Sequence, residues 1–243
     1  MINFITLQIL NFFDFFYKKK ILNFLKSLKL ENLNLVLDVG AHEGEMQFFF
    51  LKNFNVKKII SFEASEINFS RLKKQIEINK KKFLKSNILI ENLALGKEQE
   101  KKIFKQFLET SSSTFSDINI NSKYFKKKFQ LLNKKKGNQF YEEKQIHLTP
   151  LNDYLENKKI FKIDILKIDT EGYEFEILKG LKNRIKIIDI IFFEHHYDDM
   201  INKSYTYSDI HNLLKKNNFE KIFKSKMPFR KTFEYIYRNK VNI

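Results

Sequence analysis

Four carboxylates in this chain each stand where a largely apolar run stops. Asp38 closes Leu35-Val36-Leu37, Glu63 closes Ile59-Ile60-Ser61-Phe62, Asp169 closes Ile163 to Ile168, and Glu194 closes Ile187 to Phe193. Runs of this length bounded by turn residues read as strands buried on both faces, and such strands alternating with helical patterns make a parallel sheet. All four carboxyl groups then meet at one edge of the sheet, the edge at which α/β proteins bind ligands. Carboxylates gathered there can accept hydrogen bonds from hydroxyls, neutralise a cation or take up a proton.

The turn after Asp38 narrows the ligand. Gly40-Ala41-His42-Glu43-Gly44 leads into Met46 to Leu51, which continues as a helix. Glycine removes the Cβ from the path of a ligand, and the first turn of the helix presents unpaired N–H groups. The spacing is G-x-x-x-G with an acid before the first glycine, not the G-x-G-x-x-G that cradles a pyrophosphate. A cofactor with a cationic or hydroxyl-rich end suits it better; a plain strand-to-helix connection is the alternative. Glu63 follows Gly44 by 19 positions, where a nucleotide-binding sheet puts the carboxylate that accepts from ribose hydroxyls. The alternative for Glu63 is a surface acid at a strand end. Of six glycines, Gly40, Gly44, Gly96, Gly172 and Gly180 fall in these turns, and Gly180 reads as a helix stop.

Several elements must position these groups. Ile2 to Tyr17 carries most of its polar residues on one helical face and reads as an amphipathic helix, part of an amino-terminal region over 1–30 ahead of a single domain over 31–243. Its apolar side can pack on the domain, on a second subunit, or on a membrane surface with Lys18, Lys19 and Lys20 at the headgroups. Glu66 to Lys80 reads as a helix with Phe69, Leu72 and Ile76 aligned, Ile88 to Gly96 as a third strand, and Lys101 to Leu108 as an added edge strand. From 109 to 145 the chain turns polar and basic, an insertion that either covers the site or is a solvated connection. The core pattern resumes at Leu148 to Leu155. Tyr173 to Lys179 and Ser208 to Asn217 read as helices, and Phe219 to Ser225 with Thr232 to Tyr237 as an antiparallel terminal pair around Met227-Pro228.

Composition excludes other classes. At 243 residues, 43% hydrophobic and 30% charged, the chain suits one α/β domain with a full core. The formal charge is +16, yet arginine occurs only at Arg71, Arg184, Arg230 and Arg238. A surplus of Lys, Asn, Ile and Phe is what AT-rich codons produce. Without arginine forks to read bases or grip phosphate, the charge implies solubility and weak anion attraction, and no specific nucleic-acid partner. The absence of cysteine excludes disulfides, thiolate metal sites and a cysteine nucleophile. No run approaches the ~20 apolar residues of a membrane span. No cleavable leader is visible, so a cytoplasmic protein is expected, with contact at the inner membrane surface left to the amino-terminal helix.

The strings LDVGAHEGE, SFEAS, ENLALG, SSSTFS and LKIDTEGYEFEILKG, with the strand ending at Glu194, resemble the successive motifs of FkbM-type S-adenosylmethionine-dependent methyltransferases. The resemblance implies a Rossmann-like class I methyltransferase fold: α/β and doubly wound, with a mostly parallel seven-stranded sheet and a terminal antiparallel strand. It implies S-adenosyl-L-methionine as cofactor. Asp38, Gly40, Ala41, His42 and Gly44 would hold its methionine and sulfonium end, Glu63, with Ala64 beside it, the ribose, and Asn92 and Ala94 the adenine side, with Asp169 at the edge of the same site. The family commonly has Asn where this chain has His42 and Pro where it has Ala64; neither change removes the carboxylate or glycine chemistry. The implied acceptor is a hydroxyl on a sugar, a polysaccharide or a secondary metabolite. Lysines between Lys123 and Lys144 would favour an acidic glycan, although codon bias explains the same lysines.

Moving a methyl group from a sulfonium to an oxygen is an in-line displacement, so the protein must align the acceptor and remove its proton. Asp169 is the first candidate for base or acceptor-positioning group and Glu171 the second. Glu194, His195 and His196 close the opposite wall, where a histidine has the right acidity to take a hydroxyl proton but serves as readily in a structural role. Tyr173 and Tyr197 can lie against the sulfonium or in the core. No compact ligand motif calls for a metal, although acids and histidines from two strand ends can ligate a hard divalent cation. Two rivals stand beside this reading. A nicotinamide-dependent dehydrogenase would need the missing G-x-G-x-x-G. A non-catalytic or membrane-surface module on a degenerate methyltransferase fold would have lost the motifs that Asp38, Gly40, Gly44 and Glu63 preserve.

Overall fold

The computed structural model describes residues 4–107, 111–132 and 140–241. In chain order, α1 (Phe4–Ser27) precedes β1 (Asn32–Val39), α2 (Glu45–Asn53), β2 (Asn55–Phe62), α3 (Glu66–Asn79) and β3 (Asn87–Glu91). Next come β4 (Ala94–Gly96), β5 (Glu100–Phe107), β6 (Asp117–Ile118), α4 (Lys123–Leu132) and β7 (Tyr141–Pro150). The chain continues with α5 (Leu151–Asn157), β8 (Ile163–Ile168), α6 (Glu174–Gly180), β9 (Ile188–His196) and β10 (Ile201–Asn202). It closes with α7 (Tyr207–Lys216), β11 (Phe219–Lys226) and β12 (Thr232–Asn239).

Seven strands form one sheet in the order β11-β12-β9-β8-β1-β2-β3. The strands from β3 to β9 in that sheet are parallel, and β12 runs antiparallel to both β9 and β11. From β1 the chain moves outward to β2 and β3, then returns to β8 on the other side. That reversal is the switch point at which doubly wound sheets open a crevice.

Alternate residues of each strand serve alternate faces. Val36, Ile59, Ile165, Ile190 and Ile236 pack with Ile21 and Leu25 of α1 and Phe50 of α2. Leu37, Ile60, Leu166, Ile191 and Phe193 pack on the other face with Leu155, Leu178 and Leu214 of α5, α6 and α7. Covering both faces is what makes the strands read as continuous apolar runs. Because α1 lays Tyr17, Ile21 and Leu25 on the sheet, the domain itself takes the inner side of the amino-terminal helix. No helix of the described residues is long and apolar enough to cross a membrane.

Three boundaries differ from the sequence expectation. Ile88 to Gly96 is two strands: β3 ends at Glu91, and β4 belongs to a three-stranded sheet ordered β4-β7-β5. Asn92 marks the break by turning back to donate to the Glu63 and Ala64 carbonyls at 2.8 and 3.4 Å. Leu148 to Leu155 divides at Pro150, whose extended backbone starts α5. The polar stretch after β5 is largely ordered structure: β5 and β7 pair antiparallel from Glu100↔Leu148 to Phe107↔Tyr141, and Phe125 and Phe129 of α4 pack on Phe107 and Met200. Residues 108–110 and 133–139 of that stretch, and Ile2 and Asn3 of the amino-terminal helix, lie outside the described residues. Helix α6 does end at Gly180, but glycine is required there by close packing, since a Cβ would lie 2.0 Å from the Gly96 carbonyl oxygen.

Candidate active site

A cleft of about 340 Å³ opens at the carboxyl edge of the large sheet. Its lining brings together Asp38, Gly40, Ala41, His42, Glu63, Ala64, Ala94, Asp169, Glu171 and Glu194. Three further residues singled out in the sequence stand back from it. Gly44, at φ +97°, caps the amino end of α2; Asn92 is exposed and occupied with the carbonyls after β2; His195 lies on the opposite face of the sheet.

The loop after β1 is tied to the end of β2. The Gly40 and Ala41 N–H groups donate to the Phe62 carbonyl at 2.9 and 3.0 Å. His42 adopts φ +50°, a left-handed conformation in which Asn, Asp and His are enriched. This is the physical reason that His can replace the common Asn. Glu63 receives the His42 N–H on Oε2 and the Ser65 N–H on Oε1, both at 2.8 Å. Burial raises the Glu63 pKa, and those two N–H groups pull against the rise. Asp38 is 1% exposed, its Oδ2 has no hydrogen-bond partner, and burial raises its pKa to about 7 against the pull of Lys167. Beyond Glu63 the cleft becomes apolar, walled by Leu93, Leu95, Phe104, Phe115 and Tyr173.

The turn after β8 is held from both sides. Glu171 and Gly172 have φ of +51° and +91°, and a Cβ on Gly172 would meet Ile201 Cγ2 at 2.6 Å. The buried Glu174 Oε1 accepts from the Thr170 and Gly172 N–H groups at 3.1 and 3.0 Å, and Tyr205 donates to its other oxygen. From the SSSTFS segment, Thr114 Oγ1 donates to the Glu171 carbonyl at 2.7 Å and Ser116 Oγ to the Gly172 carbonyl at 2.8 Å. Two motifs distant in sequence thus form one wall. Sequence reasoning missed Glu174; its signal was an acid in the first helical turn beside a Thr-Glu-Gly bend.

Strand register gathers the charges beneath α1. Asp38 pairs with Lys167, and Glu194 stands opposite Glu234. Lys167 is fully buried, its Nζ 3.6 Å from Asp169 Oδ2 and 3.6 Å from Glu234 Oε1. Burial opposes its charge, but Asp169, Glu234 and Glu194 outweigh that and raise its pKa. Tyr17 of α1 donates to Glu234 Oε2 at 3.0 Å. Burial and the Glu194 charge push Asp169 well above the usual carboxylate range. Glu194 goes the other way: burial opposes its ionisation, and the neighbouring His196 and Lys167 outweigh it.

The two histidines expected together on one wall part to opposite faces of the strand. His196 Nε2 lies 3.1 Å from Glu194 Oε1 and 3.3 Å from Glu171 Oε2, with Asp198 3.5 Å from Nδ1. Burial works against its charge, but these carboxylates raise its pKa well above the ordinary histidine value, which favours the charged ring and makes it a poor proton acceptor. His195 faces the other side because successive strand residues alternate. It packs against Tyr197 and Tyr205 at 4.8 and 5.8 Å, and burial with the Lys203 charge lowers its pKa to about 4. Tyr197 shares that aromatic side, its hydroxyl 2.7 Å from that of Tyr235, whereas Tyr173 lines the apolar end of the cleft.

Eight carboxyl side chains line the cleft among the described residues, against the Lys or Arg side chains of Lys18 and Arg230. From the polar stretch the lining takes Ser111, Ser113 and Phe115, and no described lysine between 123 and 144. No group of three or more His, Asp and Glu side chains among the described residues is arranged to hold a metal ion.

A doubly wound sheet with β12 inserted antiparallel between β9 and β11, and with this cleft at its switch point, defines a Rossmann-like methyltransferase fold. Magnesium protoporphyrin IX methyltransferase (ChlM) from Synechocystis PCC 6803 with bound SAH is similar over 98% of this chain and 88% of that chain, at 8% identity and TM-score 0.55. Methyltransferase FkbM from Methylobacillus flagellatus KT is similar over 84% of this chain, at 15% identity and TM-score 0.53; the match covers 43% of that longer chain. The family model of the methyltransferase FkbM domain matches residues 38–221, and the chain belongs to that family. No protein of curated function matches it in sequence.

Proposed function

We propose that this protein transfers a methyl group from S-adenosyl-L-methionine to a hydroxyl on a sugar, a polysaccharide unit or a secondary metabolite. The observation that carries the reading is Glu63, a buried carboxylate at the end of β2 that lines the cleft, with each oxygen fixed by one backbone N–H. The Asn68 side chain also bonds the carboxylate, and the acceptor capacity left of its about four lone-pair sites suits a ribose hydroxyl. The orphaned Asp38 Oδ2 suits the ammonium of the methionine end, and the apolar wall at Ala94, Leu95 and Phe115 suits adenine. When bound, the cofactor supplies a methyl group made electrophilic by its sulfonium charge, and an acidic cleft favours that cation.

On the acceptor side, Asp169 takes the hydroxyl proton. Its raised pKa makes it a better base than an ordinary carboxylate. Glu194, kept ionised by His196 and Lys167, accepts from the acceptor and orients it. Glu171, joined to His196 and set by its left-handed turn, positions from the facing wall. Helix α1 walls this side through Asp14, Tyr17 and Ile21. His195 takes no part in this reading. The preponderance of carboxylates disfavours a polyanion, so an acidic glycan or a nucleic acid fits less well than a neutral hydroxyl compound.

Calorimetric titration with S-adenosylmethionine and, separately, with NAD tests the cofactor. Micromolar binding of the methyl donor, lost in Glu63→Ala, is the expected result. A folded protein that binds NAD, or neither compound, overturns it.

A further inference from the structure

Helix α1 and the turn between β11 and β12 build one wall of the cleft, and the outer surface of that wall is apolar and basic at once. Phe13, Phe15 and Phe16 of α1 are 39, 62 and 51% exposed, and Phe229 at the hairpin tip is 69% exposed. The Phe229 ring meets Phe13 edge-on at 4.9 Å, and Phe15 meets Phe16 at 5.6 Å, so the helix and hairpin present one patch. Phe229 holds φ +60°, an unusual conformation for a bulky residue. Lys19 and Lys20 of α1 and Lys226 and Lys231 of the hairpin, close in sequence to these rings, are all exposed, while Lys18 belongs to the cleft lining. Asp14, which falls between the phenylalanines, turns into the cleft instead.

We propose that this patch docks on an anionic membrane surface, the phenylalanines entering the headgroup boundary and the lysines pairing with lipid phosphates. Rings flanked by lysines on a helix that cannot span the bilayer are the features of an interfacial contact. A second copy of the chain is the poorer occupant, because two basic rims of a protein with formal charge +16 would face each other. Met227 and Arg230 of the same hairpin line the cleft, so the docked face adjoins its mouth, and an acceptor carried at a membrane surface would meet it there. The docking itself does not depend on the methyl-transfer reading.

Flotation of the full chain with phosphatidylcholine vesicles, with and without phosphatidylglycerol, tests the proposal. The protein should float with the anionic vesicles and stay behind with the neutral ones. Phe16→Ser/Phe229→Ser should lose roughly tenfold or more in partitioning, since burying one phenylalanine side chain is worth about that much. Lys19→Glu/Lys20→Glu/Lys231→Glu should lose a similar amount, with thermal melting by circular dichroism confirming that both variants fold. No flotation with anionic vesicles overturns the proposal, as does equal flotation of folded variants. Light scattering that finds a dimer split by Phe16→Ser/Phe229→Ser, with no flotation, assigns the patch to a second copy and also overturns it.

Discussion

Glu194 and Glu234 stand directly opposite each other on β9 and β12 and are both buried. The Lys167 ammonium lies 3.6 Å from Glu234 and 3.6 Å from Asp169. Like charges in register destabilise a strand pair, so this arrangement depends on the cation beside it. Lys167→Met should destabilise the protein by about 3–5 kcal/mol at neutral pH, the cost of leaving buried charge unpaired. The deficit should shrink at mildly acidic pH, where the carboxyls accept protons, and Glu234→Gln should restore part of it. Chemical denaturation at both pH values measures this; an unchanged midpoint at neutral pH would refute the role given to Lys167.

His196 makes a prediction of the opposite pH sense. Its folded pKa is raised because Glu171, Asp198 and Glu194 outweigh burial. A raised pKa gives stability that is complete below the unfolded value of about 6.5 and is lost as pH rises through the folded value. His196→Gln should therefore cost about 3 kcal/mol at mildly acidic pH, and the gap to the parent should close on the alkaline side. A gap that stays constant across this range would mean that the ring acts through neutral hydrogen bonds alone.

Asp169 must be ionised to take a proton, so methyl transfer should rise with pH through its pKa. Burial and Glu194 place that pKa well above the usual carboxylate range, and the acid limb of kcat should move up with it. Asp169→Asn should reduce kcat by about 10²–10⁴-fold while donor affinity changes far less. A limb at the ordinary carboxylate position would assign the proton to another group.

Gly40 and Gly96 should respond differently to alanine. A Cβ on Gly40 would sit 1.8 Å from the Asp169 carbonyl oxygen, and its φ is +79°. Gly40→Ala should lower Tm by roughly 5 °C or more and abolish donor binding, since Asp169 and the loop must both move. At Gly96 the nearest atom is the Leu148 Cδ1 at 2.9 Å, the end of a flexible side chain, so Gly96→Ala should be the milder change. Parallel melting curves compare the two.

The central sheet was legible because strands buried on both faces announce themselves as apolar runs, and because acids interrupt those runs at one edge. The choice between His195 and His196 was not legible. Strand β9 extends past Glu194 to His196, and only the face assigned to Phe192 and Phe193 decides which ring turns toward Glu171. Strand β5 was legible as Lys101 to Leu108, but its pairing with β7 was not, because the ribbon's burial is one-sided and weak and its partners are joined by long-range pairing. Asn92, expected near the adenine side, spends its side-chain amide on the Glu63 and Ala64 carbonyls, a contact set by the turn and not by residue type. Tyr17 and Glu234 carried no motif at all; they matter through a contact between residues 217 positions apart.

That contact joins the two ends of the chain at the cleft. Asp14, Tyr17 and Ile21 come before the stretch that matches the family, and Met227, Arg230 and Glu234 come after it, yet all six line the cleft. The two ends of the chain, joined by the Tyr17–Glu234 contact, therefore complete a cleft whose other side lies within the matched stretch. A copy trimmed to 38–221 would lose most of β1 and the whole of β12, and with them a central strand of the sheet as well as one side of the mouth.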